Sequence, residues 1–156
     1  MANRFTEISQ IGIAVSNLDL GMKAMERVFG AQPDEFLNSS NSTRYYHGRP
    51  VFCSTKIAIY HFANIEIELI EPVDGEGVWQ DFVREKGSGV QHIKFSVPSY
   101  DEAAHVLEDA GYHMSMNGSS ARAIPGLKWA YFDTDRDLGF SLEIFNDRDI
   151  GDIKEK

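Results

Sequence analysis

The sequence predicts an α+β chain of two tandem βαβββ modules whose curved mixed sheets enclose one site. Three observations lead there. Strand-period and helix-period segments run along the chain in the same order twice. The two halves match each other at fixed shifts, and the polar positions that match lie opposite the aliphatic ones on their strands. With 156 residues, 42% of them hydrophobic, the chain carries enough apolar material for one shared core.

Ile8 to Val15 opens the first half with the alternation of a strand. Ile11, Ile13 and Val15 fall on one face, and Gln10, Gly12 and Ala14 on the other. Asn17 or Asp19 can then cap a helix in which Leu18, Met22, Met25 and Phe29 recur at helical spacing, with Gly30 as its stop. Residues 33–56 are weakly patterned: Asn38 to Ser42 reads as a loop, Arg44-Tyr45-Tyr46 as a short strand and Gly48-Arg49-Pro50 as a turn. Ile57 to Phe62 and Ile65 to Ile70 form a hairpin about Ala63-Asn64, and in its second strand Glu66 and Glu68 share a face.

Residues 1–72 make the first module on this reading, and residues 73–89 make a linker holding a short helix, Val78 to Lys86, with Trp79, Phe82 and Val83 on its apolar side. Residues 90–146 make the second module and 147–156 a C-terminal tail. Val90 to Val97 repeats the opening strand, with Ile93, Phe95 and Val97 on one face and His92, Lys94 and Ser96 on the other. A helix follows from Ser99 or Asp101 to Ala110. Strands at Tyr112 to Met116, Leu127 to Asp133 and Leu138 to Phe145 complete the half, with Asp135-Arg136-Asp137 as a turn.

The repeat aligns Gln10-Ile11-Gly12-Ile13-Ala14-Val15 with His92-Ile93-Lys94-Phe95-Ser96-Val97 at a shift of 82 residues, and Glu68-Leu69-Ile70 with Glu143-Ile144-Phe145 at 75. Equivalent positions of a duplicated unit approach each other across a pseudo-twofold axis. Gln10 and His92 form one such pair, Glu68 and Glu143 the other. Four ligand-capable side chains thus point at one enclosed sheet surface, where an unpaired carboxylate costs several kcal/mol or takes up a proton. A divalent cation removes that cost.

The bulk numbers exclude other classes. A net charge of −9, with no run of Lys or Arg, offers no face for a phosphate backbone, so no nucleic-acid partner is expected. The single cysteine, Cys53, cannot close a disulfide within the chain; the polar Met1-Ala2-Asn3-Arg4 start has no signal-like apolar stretch; and no apolar run reaches the roughly 20 residues that span a bilayer. A cytoplasmic protein without a membrane partner is expected.

The opening Gln10 to Val15, the strand Glu66-Ile67-Glu68-Leu69-Ile70-Glu71-Pro72, the segment Gly89-Val90-Gln91-His92-Ile93, and Tyr131-Phe132-Asp133 with Leu142-Glu143-Ile144 together resemble the vicinal oxygen chelate superfamily. That superfamily comprises glyoxalases, methylmalonyl-CoA epimerases and extradiol dioxygenases, and the likeness runs from Ile8 to Asn146. The resemblance implies a glyoxalase-like fold with one divalent ion (Zn, Ni, Co, Mn, Fe or Mg) held by Gln10, Glu68, His92 and Glu143. It also implies Glu143 as the base that removes a proton next to a carbonyl, giving an enediolate that the metal stabilises. The glutamine, glutamate, histidine, glutamate set is similar to that of lactoylglutathione lyase of eukaryotes. Ala14, however, stands where those enzymes carry an arginine for glutathione. The stretch from Leu69 to His92 looks closer to methylmalonyl-CoA epimerase, yet no Asp or Glu occurs between Glu35 and Glu66 to act as a second acid.

A metal-dependent isomerase or lyase, epimerase-like or glyoxalase-like, is the expected function, acting on a small molecule with a carbonyl or vicinal oxygens. The alternatives are a metal-free small-molecule binding protein of the resistance type and an Fe(II) ring-cleaving dioxygenase. The latter usually needs two histidines, and only His92 is placed for it. Arg44, His47, Arg49, Lys56 and Lys94 are candidates for an anionic substrate group. Tyr45, Tyr46, Trp129 and Phe140 are candidates for the cavity wall. Open sheet edges pair within one chain or between two, and a homodimer is expected.

Overall fold

The computed structural model describes residues 4–40, 43–120 and 124–147. Met1-Ala2-Asn3, the Asn41-Ser42 part of the serine-rich loop and the tail beyond Asp147 lie outside the described residues. The elements run β1 (Ile8–Ala14), α1 (Leu18–Phe29), β2 (Glu35–Ser39), β3 (Arg44–Tyr46), β4 (Arg49–Val51), β5 (Cys53–His61), β6 (Glu66–Gly75) and α2 (Val78–Lys86). Then come β7 (Gly89–Ser96), α3 (Tyr100–Asp109), β8 (Met114–Ser119), β9 (Lys128–Phe132), α4 (Asp135–Leu138) and β10 (Ser141–Phe145).

Ten strands form one mixed sheet in the order β2-β5-β6-β1-β7-β10-β9-β8-β3-β4. At its centre β1 and β7 pair antiparallel within the chain, with Gly12 opposite His92 and Gln10 opposite Lys94. Each central strand takes a parallel partner. In β1/β6, Gln10 faces Glu66 and Gly12 faces Glu68; in β7/β10, His92 faces Ser141 and Lys94 faces Glu143. The two shifts read from the sequence, 82 residues for the central strand and 75 for its parallel partner, carry the β1/β6 register onto the β7/β10 register.

The sheet is strongly curled into a half-barrel. Arg44 of β3, near one end of the strand order, donates to Ser39 of β2 and to the Cys53 carbonyl of β5, at the other end. Only a curled sheet brings those edges within one side chain of each other. On the convex side Leu18 and Met25 of α1 pack with Val15, Ala58, Tyr60 and Leu69, while Leu107 of α3 packs with Val97, Phe132, Leu142 and Ile144. The concave side holds the third cluster, including Ile57, Ile70, Trp79, Trp129 and Tyr131, with α2 delivering Trp79.

Side-chain caps start both long helices, Asn17 Oδ1 accepting from Leu20 N–H at 2.9 Å and Ser99 Oγ from Glu102 N–H at 3.3 Å. Three local expectations change. Residues 38 and 39 belong to β2, because pairing with Thr55 and Lys56 of β5 overrides their turn-forming chemistry. The turn falls at His47-Gly48, both at positive φ (47° and 78°), not at Gly48-Arg49-Pro50. Pro50 sits on β4, the edge strand, where its missing N–H leaves no ladder bond unmade. Asp135 to Leu138 winds into one helical turn, stopped by Gly139 at φ 80°. Among the described residues no helix is long and apolar enough to cross a membrane.

Candidate functional site

His92, fully buried, is the centre of the concave face. Its ring rests on the backbone of Gly12, where an added Cβ would come within 1.8 Å of the imidazole, so the facing strand position has to be glycine. Nδ1 is 2.7 Å from Gln91 Oε1, an acceptor, which makes Nδ1 the protonated nitrogen. Nε2 then faces three oxygens, 3.1 Å from Gln10 Oε1, 3.3 Å from Glu68 Oε2 and 3.3 Å from Glu143 Oε2. Three oxygens around one nitrogen need a proton among them, on Nε2 or on a carboxyl, or a cation. One N–H cannot satisfy all three.

Glu66 is occupied. It accepts from the Gln10 amide N–H and lies 2.9 Å from His61 Nε2 and 3.8 Å from Lys94 Nζ. Its bond to Gln10 turns the amide oxygen of Gln10 towards His92. Lys94 is buried, and its ammonium stands 4.9 Å from the centre of the Phe145 ring. Glu143 Oε2 is buried with no hydrogen bond. Burial pushes the Glu143 carboxyl up from 4.5 to about 7, against the opposing charges of His92 and Lys94 and with help from Glu68 and Glu66. Burial, then Glu143 and Glu68, push the Tyr131 phenol well above its ordinary range; its ring stands edge to face with His92, the centroids 4.9 Å apart.

A small cavity opens over this group. Gln10, Glu68, Lys94 and Glu143 form its polar floor, and Ile57, Ile70, Trp79, Trp129, Tyr131 and Phe145 its apolar wall. Of the cationic candidates, Arg44 and Lys94 line it. His47 and Arg49 do not: His47 stacks beside Tyr46 over a separate cleft against α2, and Arg49 is an exposed partner of Glu76. Both follow from the hairpin, whose tip and edge strand turn away from the concave face. Lys56 is exposed, and of the four aromatic candidates only Trp129 lines the cavity. Among the described residues, no group of three or more His, Cys, Asp or Glu side chains stands ready to hold a metal ion.

Sequence reading passed over Gly12, Gln91, Trp79, Thr55 and Tyr131. A signal existed for Gly12, because a glycine inside an alternating strand marks a close approach. None existed for Gln91, since alternation sends it to the opposite face from His92.

The curled sheet, its pseudo-symmetric registers and this enclosed polar floor define a glyoxalase-type fold. The chain belongs to the glyoxalase, bleomycin resistance protein and dioxygenase superfamily, whose family model matches residues 9–131. No curated protein matches the sequence significantly. Among solved structures, a hypothetical protein from Bacillus halodurans C-125 is similar at 20% identity and TM-score 0.67, over 90% of this chain and 93% of that one. A methylmalonyl-CoA epimerase variant from Streptomyces coelicolor, in complex with 2-nitronate-propionyl-CoA, is similar at 17% identity and TM-score 0.65, over 91% and 94%. The methylmalonyl-CoA epimerase of Mycobacterium tuberculosis gives 16% and 0.65, over 94% and 91%. At these identities the likeness is one of fold.

Proposed function

We propose that this protein is a metal-dependent isomerase or lyase that removes a proton next to a substrate carbonyl, with Glu143 as the base. One observation carries the reading: two carboxylates and an amide oxygen lie within 3.3 Å of the imidazole Nε2 of His92, the four side chains coming from four different strands, and the three oxygen-bearing residues also line a cavity. Bonds of about 2.1 Å set at right angles place neighbouring donors about 3 Å apart, so the set suits a divalent ion even though the side chains do not form a ready cluster. The hydrogen-bond-free Glu143 Oε2 fits the same need. Gln10, Glu68, His92 and Glu143 would hold the ion. It would supply Lewis-acid stabilisation of negative charge on a carbonyl oxygen.

The chain's own residues account for the rest. Glu143, buried and lining the cavity, is the carboxylate placed to take a proton and return it. Glu68, its counterpart across the pseudo-twofold, approaches His92 Nε2 at the same 3.3 Å and offers a second carboxylate for return of the proton at another position or face. That compensates for the lack of an acid between Glu35 and Glu66. The aromatic and aliphatic wall excludes water from the carbanionic centre. Acyl-CoA ligands in some structural neighbours make thioesters reasonable first substrates.

A second reading, sequestration of a small molecule without turnover, draws on the Trp79, Trp129 and Tyr131 wall. One experiment separates the two: elemental analysis of purified protein, then solvent deuterium uptake into α-carbonyl thioesters and α-hydroxy or α-keto compounds, with and without chelator. Uptake that chelation stops, that a divalent ion restores and that Glu143→Gln abolishes is expected. Full uptake by Glu143→Gln would sink the proposal.

A further inference from the structure

Arg44 carries a full positive charge, is 3% exposed and lines the cavity. Its terminal nitrogens reach only neutral acceptors: the Ser39 hydroxyl, the Ser39 carbonyl at 3.2 Å and the Cys53 carbonyl. Its Nε–H has no acceptor. Among the described residues no carboxylate pairs with it, although Glu68 and Glu143 share the same cavity. The Thr55 hydroxyl, also on the cavity wall, is buried without a hydrogen bond. So is the indole N–H of Trp79, which has no more than a loose approach to the Tyr131 phenol; the guanidinium lies 5.5 Å from the Trp79 ring centre. A guanidinium in this state has lost most of its hydration and regained only part of it, and unused donors stand beside it on the same wall.

We propose that Arg44 and Thr55 form a carboxylate subsite, so that the substrate carries a carboxylate at one end and the reacting carbonyl at the other, joined by a short apolar linker. Placing the carbonyl end rests on the function proposed above; the carboxylate end does not. A monoanion fits better than a phosphate. The unused donors are few, and a dianion would share the cavity with Glu68 and Glu143 at a greater cost in repulsion. Ile57, Ile70, Trp79 and Trp129 line the same cavity and offer apolar contacts to such a linker. If Arg44 served only to tie β3 to β2 and β5, the charge of the ligand would make no difference.

Trp79 and Trp129, the two tryptophans of the sequence, both line the cavity, so their fluorescence reports occupancy. The probes are 4-oxopentanoate and 5-oxohexanoate, each against its uncharged amide, titrated in the presence of chelator. The acids are expected to bind about ten- to hundredfold more tightly than the amides, the range of one charge-assisted contact. Arg44→Gln should bring that ratio near one, Arg44→Lys should keep part of it, and Thr55→Val should lower it a few-fold. Equal affinity for acid and amide in the wild type overturns the proposal, and so does an unchanged ratio in Arg44→Gln. If Arg44→Gln does not fold, the wild-type ratio and Thr55→Val decide. Acid preference without deuterium uptake would leave the subsite standing and remove the enzyme reading.

Discussion

Gln91 fixes which way the imidazole of His92 presents its lone pair. By accepting from Nδ1 it turns Nε2 towards Gln10, Glu68 and Glu143, and if these four hold the proposed ion, such an orienting group is usually worth about ten- to hundredfold in metal affinity. Gln91→Leu is therefore expected to weaken divalent-ion binding by about that factor and to mix the tautomers of His92. Calorimetric titration and ¹⁵N chemical shifts of the ring would show both effects; unchanged shifts would deny Gln91 the role. Glu143 supports a second prediction, in chelated protein. Its folded-state proton affinity is raised, from 4.5 to about 7, so its contribution to stability is complete below pH 4.5 and lost as pH rises through 7. The groups facing it are His92 and Lys94 from β7 and Glu68 and Glu66 from β6. The loss is on the order of 3 kcal/mol. Denaturant midpoints at pH 5 and pH 8 should thus diverge in the wild type more than in Glu143→Gln. At this scale the four converging side chains were legible because the repeat made them equivalent. His47 and Arg49 were misplaced because position along the chain does not say which way a hairpin tip turns.

Elements whose signals are local read well from the sequence. The ends of α1 follow from Asn17 and from Gly30, at φ 63°, and α2 spans Val78–Lys86 as its apolar spacing requires. Asn17→Ala should accordingly cost about 1 kcal/mol in unfolding free energy, because Leu20 N–H loses its acceptor and nothing else in α1 changes. Ser99→Ala should cost less, its bond being 3.3 Å against 2.9 Å. Urea titrations of both variants would rank them, and a larger loss for Ser99→Ala would contradict the reasoning. Segments 33–56 and 135–138 read less well. Short strands such as β3 and β4 hold their shape through pairing partners distant in sequence, β3 with β8 across some 70 residues, and a window on local chemistry carries no trace of such a partner. The helical turn of α4 depends likewise on Thr134, whose hydroxyl donates to Phe140 O and accepts from Leu142 N–H, tying the turn to the next strand.

For the whole molecule the duplication was legible, but the extent to which the halves merge was not. Antiparallel pairing of β1 with β7 joins them at the centre of the sheet, and the β3–β4 hairpin, encoded in the first half, pairs with β8 of the second. The inner core draws Ile57 and Ile70 from one half and Trp129, Tyr131 and Phe145 from the other, with Trp79 of α2 between them. Neither half encloses a concave face alone. Each would leave its central strand with an open edge and its inner aromatics in water. The chain should therefore unfold in one cooperative step despite its internal repeat. Far-ultraviolet circular dichroism follows the whole sheet, while fluorescence of Trp79 and Trp129 follows only the shared inner core, so the two urea curves should superimpose. Two separated transitions would mean that a half keeps its strands after the shared core has opened. In that case the candidate site, whose side chains come from β1, β6, β7 and β10, would have to assemble from two bodies that fold independently.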